Sequence, residues 1–423
     1  MKIALVNRHE RKGGAARAAY RIYESLRSQN INIEMYANSV SLTPPVARGP
    51  TNNIQRVISF SRNLFGTVLA KLLTFNSKET LSPALLRSFW PEKLNNSDLD
   101  VVNLHWVNGE MISIKDISRI KKPIVWTLHD MWPFCGAEHY ATHERWKSGY
   151  TEVVRPDSEI GFDLNRWVWL RKVKYWQKPC HIVTPSNWLA ECVKKSALMK
   201  NWPVTVIHNA IDTNFWKPLS KFNARAKLGV EQKGRYIAFG AVGGGKDHRK
   251  GFDLLLEAIT HLNSQLDSIH LIVLGQEETK LFSDIGFTVH FMGHISDESV
   301  LRDIYNASDV LVIPSRQDNL PNMGVEALSC GVPVVAFDTC GLSDLVKHQV
   351  TGFLAKPFDC RELAIGIRWV FSQCNENIET TEKEDSSLGL NLSAQCRQFA
   401  LNHFSYPVVA KQYAEIFHSV SKK

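Results

Sequence analysis

Short apolar runs, each followed by a loop and a segment with helical spacing, recur in two cycles along this 423-residue chain. In the first cycle the runs are residues 2–7, 31–37, 100–105, 123–129, 181–185 and 204–209, with helical patterns over 15–27, 163–177 and 187–196. In the second they are 236–240, 270–275, 289–293, 309–314 and 333–337, with helices over 251–262, 297–307, 323–329 and 360–371. Strands that are apolar throughout and separated by helices are covered on both faces, which makes the sheet parallel. The expected class is therefore α/β, with two Rossmann-like, doubly wound domains. A join rich in Lys, Pro and Asn over 215–230 separates them, giving domains over 1–218 and 219–403. Residues 404–423 read as a last amphipathic helix after Tyr406-Pro407, and the acidic, polar stretch 374–388 reads as a surface loop.

Composition narrows the setting. A hydrophobic content of 44% with 22% charged residues is ordinary for a soluble globular enzyme. The eight cysteines form no CxxC pair and no disulfide-type spacing, so they read as free thiols in a reducing compartment. No run of apolar residues is long enough to span a bilayer, and the start, MKIALVN, is too short for a signal peptide. The expected location is cytoplasmic. Charge is uneven: residues 1–218 hold 30 Lys and Arg against 18 Asp and Glu, and the rest hold 20 against 24. A basic half implies either an anionic partner or merely a solubilising surface. Two stretches suit peripheral contact with anionic lipid: 54–75, with Arg56, Arg62 and Lys71, and 165–178, with Trp167, Trp169, Tyr175 and Trp176. A core helix with a basic edge explains both equally well. No nucleic-acid-binding motif is present.

In doubly wound sheets ligands lie beyond the carboxyl ends of the strands, so the loops there carry the chemistry. The most informative is PSRQDNLPNMGVEALSCGVPVVAF, residues 314–337. Asp318 and Glu326 flank the start of a helix, whose unpaired N–H groups and positive dipole end seat phosphate. Two carboxylates beside that seat suit the hydroxyls of a sugar and a ribose, which describes a nucleotide-sugar site. An ordinary βαβ unit is the plain alternative. After the first strand of the second cycle comes GAVGGGKDHRKGFDLL, where glycines admit a ligand and Lys246, Arg249 and Lys250 suit a diphosphate. A flexible basic loop is the alternative there, and the P-loop pattern is missing. Gly13 and Gly14 follow the chain's first strand among Arg8, Arg11, Lys12 and Arg17. His129 ends one strand and His105-Trp106 the one before it. Ser186 reads as a helix cap. Asp98-Leu99-Asp100 reads as strand entry, and His139, His143, Glu138 and Glu144 lack the HExxH order, so no metal is expected.

The 314–337 segment resembles the acid-x7-Glu motif of the retaining glycosyltransferases of family 4. Glu326-Ala327, Gly331 and Pro333-Val334-Val335 match it; Asp318 stands for the first Glu, and Asn319-Leu320-Pro321-Asn322 replaces its Gly-Phe-Gly. Lys250-Gly251 matches the family's Lys-Gly, while Gly245 or Lys246 stands where its Arg is usual. Thr127-Leu128-His129-Asp130 resembles its Thr-x-His-Asp, and Asp344 stands where it commonly has Glu. The resemblance runs over nearly the whole chain and is strongest over 235–354, with a finer likeness to enzymes of bacterial surface polysaccharide assembly, including colanic-acid-type ones. It implies a GT-B architecture, two domains facing a cleft with the C-terminal helix crossing back to the first. It implies a hexosyltransferase moving sugar from a UDP- or GDP-sugar to a glycan or lipid-linked acceptor, with retention and no cofactor or metal. Glu326 would hold the ribose. Asp318, Asn319, Leu320 and Asn322 would orient the sugar. Lys250, Lys246 and Arg249 would take the diphosphate, with Gly13 and Gly14 lining the donor. His129 would donate a hydrogen bond near the transferred sugar, and Trp106 and His105 would form the acceptor side. A non-catalytic nucleotide-sugar-binding protein and a GT-B epimerase or phosphorylase remain alternatives.

Overall fold

A computed structural model describes residues 1–40, 44–50, 53–74, 80–157, 159–240, 247–262, 268–276, 286–375 and 391–422. The loop over 241–246 with Lys246, and residues 376–390 of the acidic stretch, lie outside the described residues. The chain divides into two compact units, Met1–Ala210 with Tyr406–Lys423, and Ile211–Ser405.

The first unit is built on six parallel strands, β1 (Ile3–His9), β2 (Ile33–Ser39), β3 (Val101–Leu104), β4 (Ile124–Thr127), β5 (His181–Thr184) and β6 (Val204–Val206). Their order is β2-β1-β3-β4-β5-β6. Strand alternation sends the two sides of β1 into different cores. Ile3 and Leu5 pack with helix Gly14–Ser28 and the C-terminal helix, and Ala4 and Val6 with a tryptophan-rich cluster that includes Trp126, Trp132 and Trp176. The second lipid-contact candidate resolves here: Trp176 is buried and donates its indole N–H to Ile114 O, and Trp167 and Trp169 pack against the same core. Helix Tyr406–Ser421 belongs to this unit, burying Val409, Ala410, Tyr413 and Phe417; Ser25 Oγ donates to Tyr406 O at 2.7 Å. Asp98 and Asp100 both hold Lys2 at the entry to β1.

The second unit has β7 (Arg235–Gly240), β8 (Ile269–Leu274), β9 (Thr288–Phe291), β10 (Val310–Ile313), β11 (Val334–Phe337) and β12 (Gly352–Ala355), all parallel, in the order β12-β11-β10-β7-β8-β9. Counted within the unit this is 6-5-4-1-2-3, the doubly wound dinucleotide-fold order, whose direction reverses between β7 and β10. The sheet again has two cores, with Ile237 and Phe239 in one and Tyr236 and Ala238 in the other. Helix Leu392–Phe404, which the apolar pattern did not suggest, closes this unit with Cys396, Ala400 and Phe404 buried. Arg397 on it donates to Thr213 O, Trp216 O and Ser329 O at 2.7–2.8 Å. Among the described residues no helix is long and apolar enough to cross a membrane.

Candidate functional site

The reversal point between β7 and β10 is where a sheet of this order opens a crevice at its carboxyl edge. The loops leaving those two strands carry the sequence-expected residues. After β7, Asp247 caps a single 3-10 turn, His248–Lys250, by accepting from Arg249 N; its other oxygen pairs with the Arg249 guanidinium at 2.7 Å. Gly251 then turns the chain with φ +64, and helix Phe252–Thr260 begins without a side-chain cap. A Cβ on Gly251 would lie 1.9 Å from Pro314 O, so only glycine brings this loop against the end of β10. Arg316 fastens the two loops: its N–H donates to Arg249 O at 2.7 Å, and its guanidinium to His248 O at 2.9 Å and to Asp253 at 2.5 and 2.7 Å.

That stapling brings Lys250 Nζ to 2.6 Å from Asp318 Oδ2. Asp318 is 7% exposed; its other oxygen accepts from Asn319 N at 3.1 Å, and Ser315 Oγ lies 3.4 Å from Oδ2. Asn319 and Leu320 are buried beside it. Pro321 leads into helix Asn322–Ser329, which no side chain caps. Glu326, one turn in, is 1% exposed and accepts from the Tyr305 hydroxyl at 2.7 Å. The structure thus joins Lys250, Arg249, Asp318, Asn319 and Leu320 around one pair of loop ends, with Glu326 on the helix that follows. Sequence reading missed Arg316 and Tyr305. No motif marks either one, because each acts on a partner far along the chain.

In the first unit a second polar group forms at the carboxyl ends of β3 and β4. Asn103 Nδ2 donates to Val125 O and Thr127 Oγ1, which fixes its Oδ1 as an acceptor. His105 Nε2 lies 2.9 Å from that oxygen and so carries its proton there. Burial, and after it the neighbouring His129, hold the His105 ring well below its ordinary range, so the ring is neutral and Nδ1 accepts. Its partner at 2.9 Å, His129 Nε2, must then be the donor. Burial pushes His129 down to about 4, so it too has a single N–H, and its Nδ1 is an acceptor nitrogen. In this arrangement the Nε2 proton of His129 is directed at His105. Trp106 Nε1 donates to Asp130 Oδ2 at 2.8 Å, and that oxygen also binds His139 Nδ1 at 2.6 Å. His139 Nε2 reaches Ser82 Oγ, and His143 pairs with Glu159. Gly13 has φ +96 and precedes helix Gly14–Ser28, which lacks a side-chain cap; a Cβ on either Gly13 or Gly14 would meet nothing within 4 Å.

Comparison with known proteins agrees with this construction. Residues 12–215 match the family model described as Glycosyltransferase Family 4, and residues 237–373 the one described as Glycosyl transferases group 1. An uncharacterized glycosyltransferase of Methanocaldococcus jannaschii is 27% identical over 221 residues, 49% of this chain and 55% of that protein, so the chain spans about half its length. An uncharacterized 41.2 kDa protein in the cps region of Klebsiella pneumoniae is 22% identical over 332 residues, 77% of this chain and 80% of that one. The crystal structure of Anabaena HepE in complex with UDP-glucose superimposes with a TM-score of 0.58 at 16% identity, covering 99% of this chain and 100% of that one. Two six-stranded parallel α/β units with these matches are the GT-B fold, and the chain belongs to glycosyltransferase family 4.

Proposed function

We propose that this glycosyltransferase moves a hexose from a UDP- or GDP-sugar to a glycan or lipid-linked acceptor in surface polysaccharide assembly, at the face of a membrane. The Lys250–Asp318 pair at the strand-order reversal of the second unit carries the reading. An ammonium has three N–H donors, and Asp318 engages one, so Lys250 is aimed and keeps donors for a diphosphate oxygen. As the C1–O bond to the diphosphate breaks, negative charge grows on the leaving oxygens, and a fixed cation there lowers the barrier. Arg249 and the N-terminus of helix Asn322–Ser329 add positive potential. Asp318 and Asn319 orient the sugar, and Glu326, held by Tyr305, takes the ribose hydroxyls. Retention follows from same-face attack: the acceptor oxygen bonds to C1 while its proton passes to the departing phosphate oxygen. The cations supply the charge stabilisation, so the reaction needs no divalent metal. Gly13 and Gly14 line the donor, His129 stands near the transferred sugar, and His105 and Trp106 serve the acceptor side. The cps-region relative and the UDP-glucose complex of the Anabaena protein support these choices.

The test is a thermal-shift panel of UDP-, GDP- and ADP-sugars, followed by transfer assays with the stabilising donor. Lys250→Met is expected to lower kcat about 10²- to 10³-fold, the loss typical of removing one charge-stabilising group. Full turnover in Lys250→Met and Glu326→Ala alike removes the assignment.

A further inference from the structure

Helix Asn53–Leu73 sits on the first unit with its polarity reversed. It touches the body along one stripe, where Gly66 and Ala70 are buried and Ser59, Arg62 and Asn63 partly so. A Cβ on Gly66 would lie 2.6 Å from Glu110 Cγ, and Arg62 clamps the helix by donating to Leu86 O, Arg87 O and Glu110 O at 2.7–3.0 Å. The outward face carries Ile54, Val57, Phe60, Leu64, Val68 and Leu72, all 45–71% exposed. A surface helix ordinarily turns such residues inward, and a contiguous exposed set marks a contact face. The helix has no Asp or Glu, and Arg56 and Lys71 stand at the edge of the apolar face.

Beside that face opens a cavity of about 520 Å³, lined among others by Arg8, His9, Asn38, Arg56, Phe60 and Asn63, with no carboxylate among the described residues of its wall. The Arg8 guanidinium lies 5.4 Å over the Trp106 ring. Burial, and then the charges of Arg8 and Lys12, push His9 down to about 4, so its ring is neutral there and the cations of the wall are Arg8 and Arg56. Polar cations at one end of a long apolar face match an amphiphile with an anionic head. A second copy of the chain fits less well, because a two-fold contact along this acid-free helix would set its cations against cations of the other copy.

We propose that the cavity between Arg8, His9 and Arg56 takes the phosphate head of a membrane lipid, and that the outward face of helix Asn53–Leu73 lies in the hydrocarbon beside it. This deepens the acceptor side of the reading above: the surface that docks on the bilayer also holds a phosphate-bearing lipid.

Vesicle flotation of the full chain tests it. Binding is expected to phosphatidylcholine vesicles containing phosphatidylglycerol, and to rise when a polyprenyl phosphate replaces the phosphatidylglycerol. The pair Phe60→Ser with Leu64→Ser is expected to lower binding about tenfold or more, since each buried side chain is lost from the bilayer. Arg56→Gln and Arg8→Gln are each expected to lower binding to anionic vesicles about fivefold. Circular dichroism checks that these variants stay folded. No binding to any vesicle overturns the proposal. So does stabilisation by inorganic pyrophosphate without vesicle binding, which would make this a free-anion site. A dimer abolished by Leu64→Ser, again without vesicle binding, would make the face a self-contact and overturn it too. A nucleotide thermal shift on the same samples separates the two readings: a chain that binds UDP-sugar but no vesicle keeps its transferase assignment and loses this one.

Discussion

Lys250 Nζ and Asp318 Oδ2 lie 2.6 Å apart although 68 residues separate them in sequence. Parallel pairing of β7 with β10 places the two loops side by side, and Arg316 ties them together. The pair is part-exposed, with Lys250 at 29%, so it contributes about 1 kcal/mol or less to stability. Lys250→Met and Asp318→Asn are therefore expected to leave the unfolding temperature nearly unchanged while kcat falls. Their effects on kcat should be far from additive, because each residue orients the other. A double-mutant cycle on the transfer rate, run beside thermal unfolding, measures both. Additive losses would show that the two act separately.

Gly251 makes a sharper test of how the loop is held. Its φ of +64, and the mere 1.9 Å that would separate an added methyl from Pro314 O, leave no room for alanine. Gly251→Ala is expected to destabilise the second unit by about 1–3 kcal/mol and to reduce transfer, because the turn carrying Lys250 must swing away from Asp318. Gly229, which caps helix Lys221–Leu228 at φ +66 with nothing within 4 Å, is the control. Gly229→Ala should cost stability through backbone strain alone and leave kcat intact.

The His105–His129 relay predicts an acid limb. Burial lowers His129 from 6.5 to about 4 and drives His105 the same way. Between those values the unfolded chain binds protons that the folded chain refuses, so stability rises with pH in that window and is lost as pH falls through it. For His129 the loss is on the order of 3 kcal/mol. His105→Phe should remove part of this limb and also leave Asn103 Oδ1 unsatisfied, costing about 1–3 kcal/mol. It should shift the acid side of the kcat/KM profile downward, since His129 loses the acceptor that also stabilises its protonated form and gains an apolar neighbour. An unmoved profile would make the relay purely architectural.

The strand pattern carried most of the fold. Uniformly apolar runs such as Val310–Ile313 and Val334–Phe337 belong to fully covered parallel strands, and they read the same way in sequence as in space. Helix Leu392–Phe404 escaped because its buried face is only Cys396, Ala400 and Phe404, interleaved with polar residues. Of the candidate site, Lys250, Asp318 and Glu326 were legible because each follows a strand at the ligand-bearing edge. Their supports were not. Tyr305 reaches Glu326 across 21 residues, and Arg316 reaches Asp253 across 63. Asn103 left a readable signal, a lone amide inside the apolar run of β3. The reversed helix Asn53–Leu73 was legible as amphipathic, but periodicity alone does not say which face turns inward.

Lys172 is fully buried and shows how the tryptophan-rich core is pinned. Its ammonium donates to Trp132 O, to Cys135 O at 3.0 Å and to Gly136 O at 2.7 Å, and sits 3.8 Å over the Trp132 ring. Burial lowers its pKa from 10.5 to about 7. Three carbonyl acceptors need three N–H donors, which only the protonated form has, so these contacts favour the charged form against the burial that lowers its pKa. Lys172→Met keeps the stem and its packing but strands three buried carbonyls. At roughly 1–3 kcal/mol for each unsatisfied group, partly relieved by water entry, the net loss should be on the order of 3 kcal/mol or more. Lys172→Arg is expected to be nearly as costly, because a planar fork does not reproduce a three-way tetrahedral contact. Chemical denaturation of both variants, with tryptophan emission reporting Trp132, checks this. A loss below about 1 kcal/mol in Lys172→Met would mean that the segment over 132–136 holds its shape without the lysine.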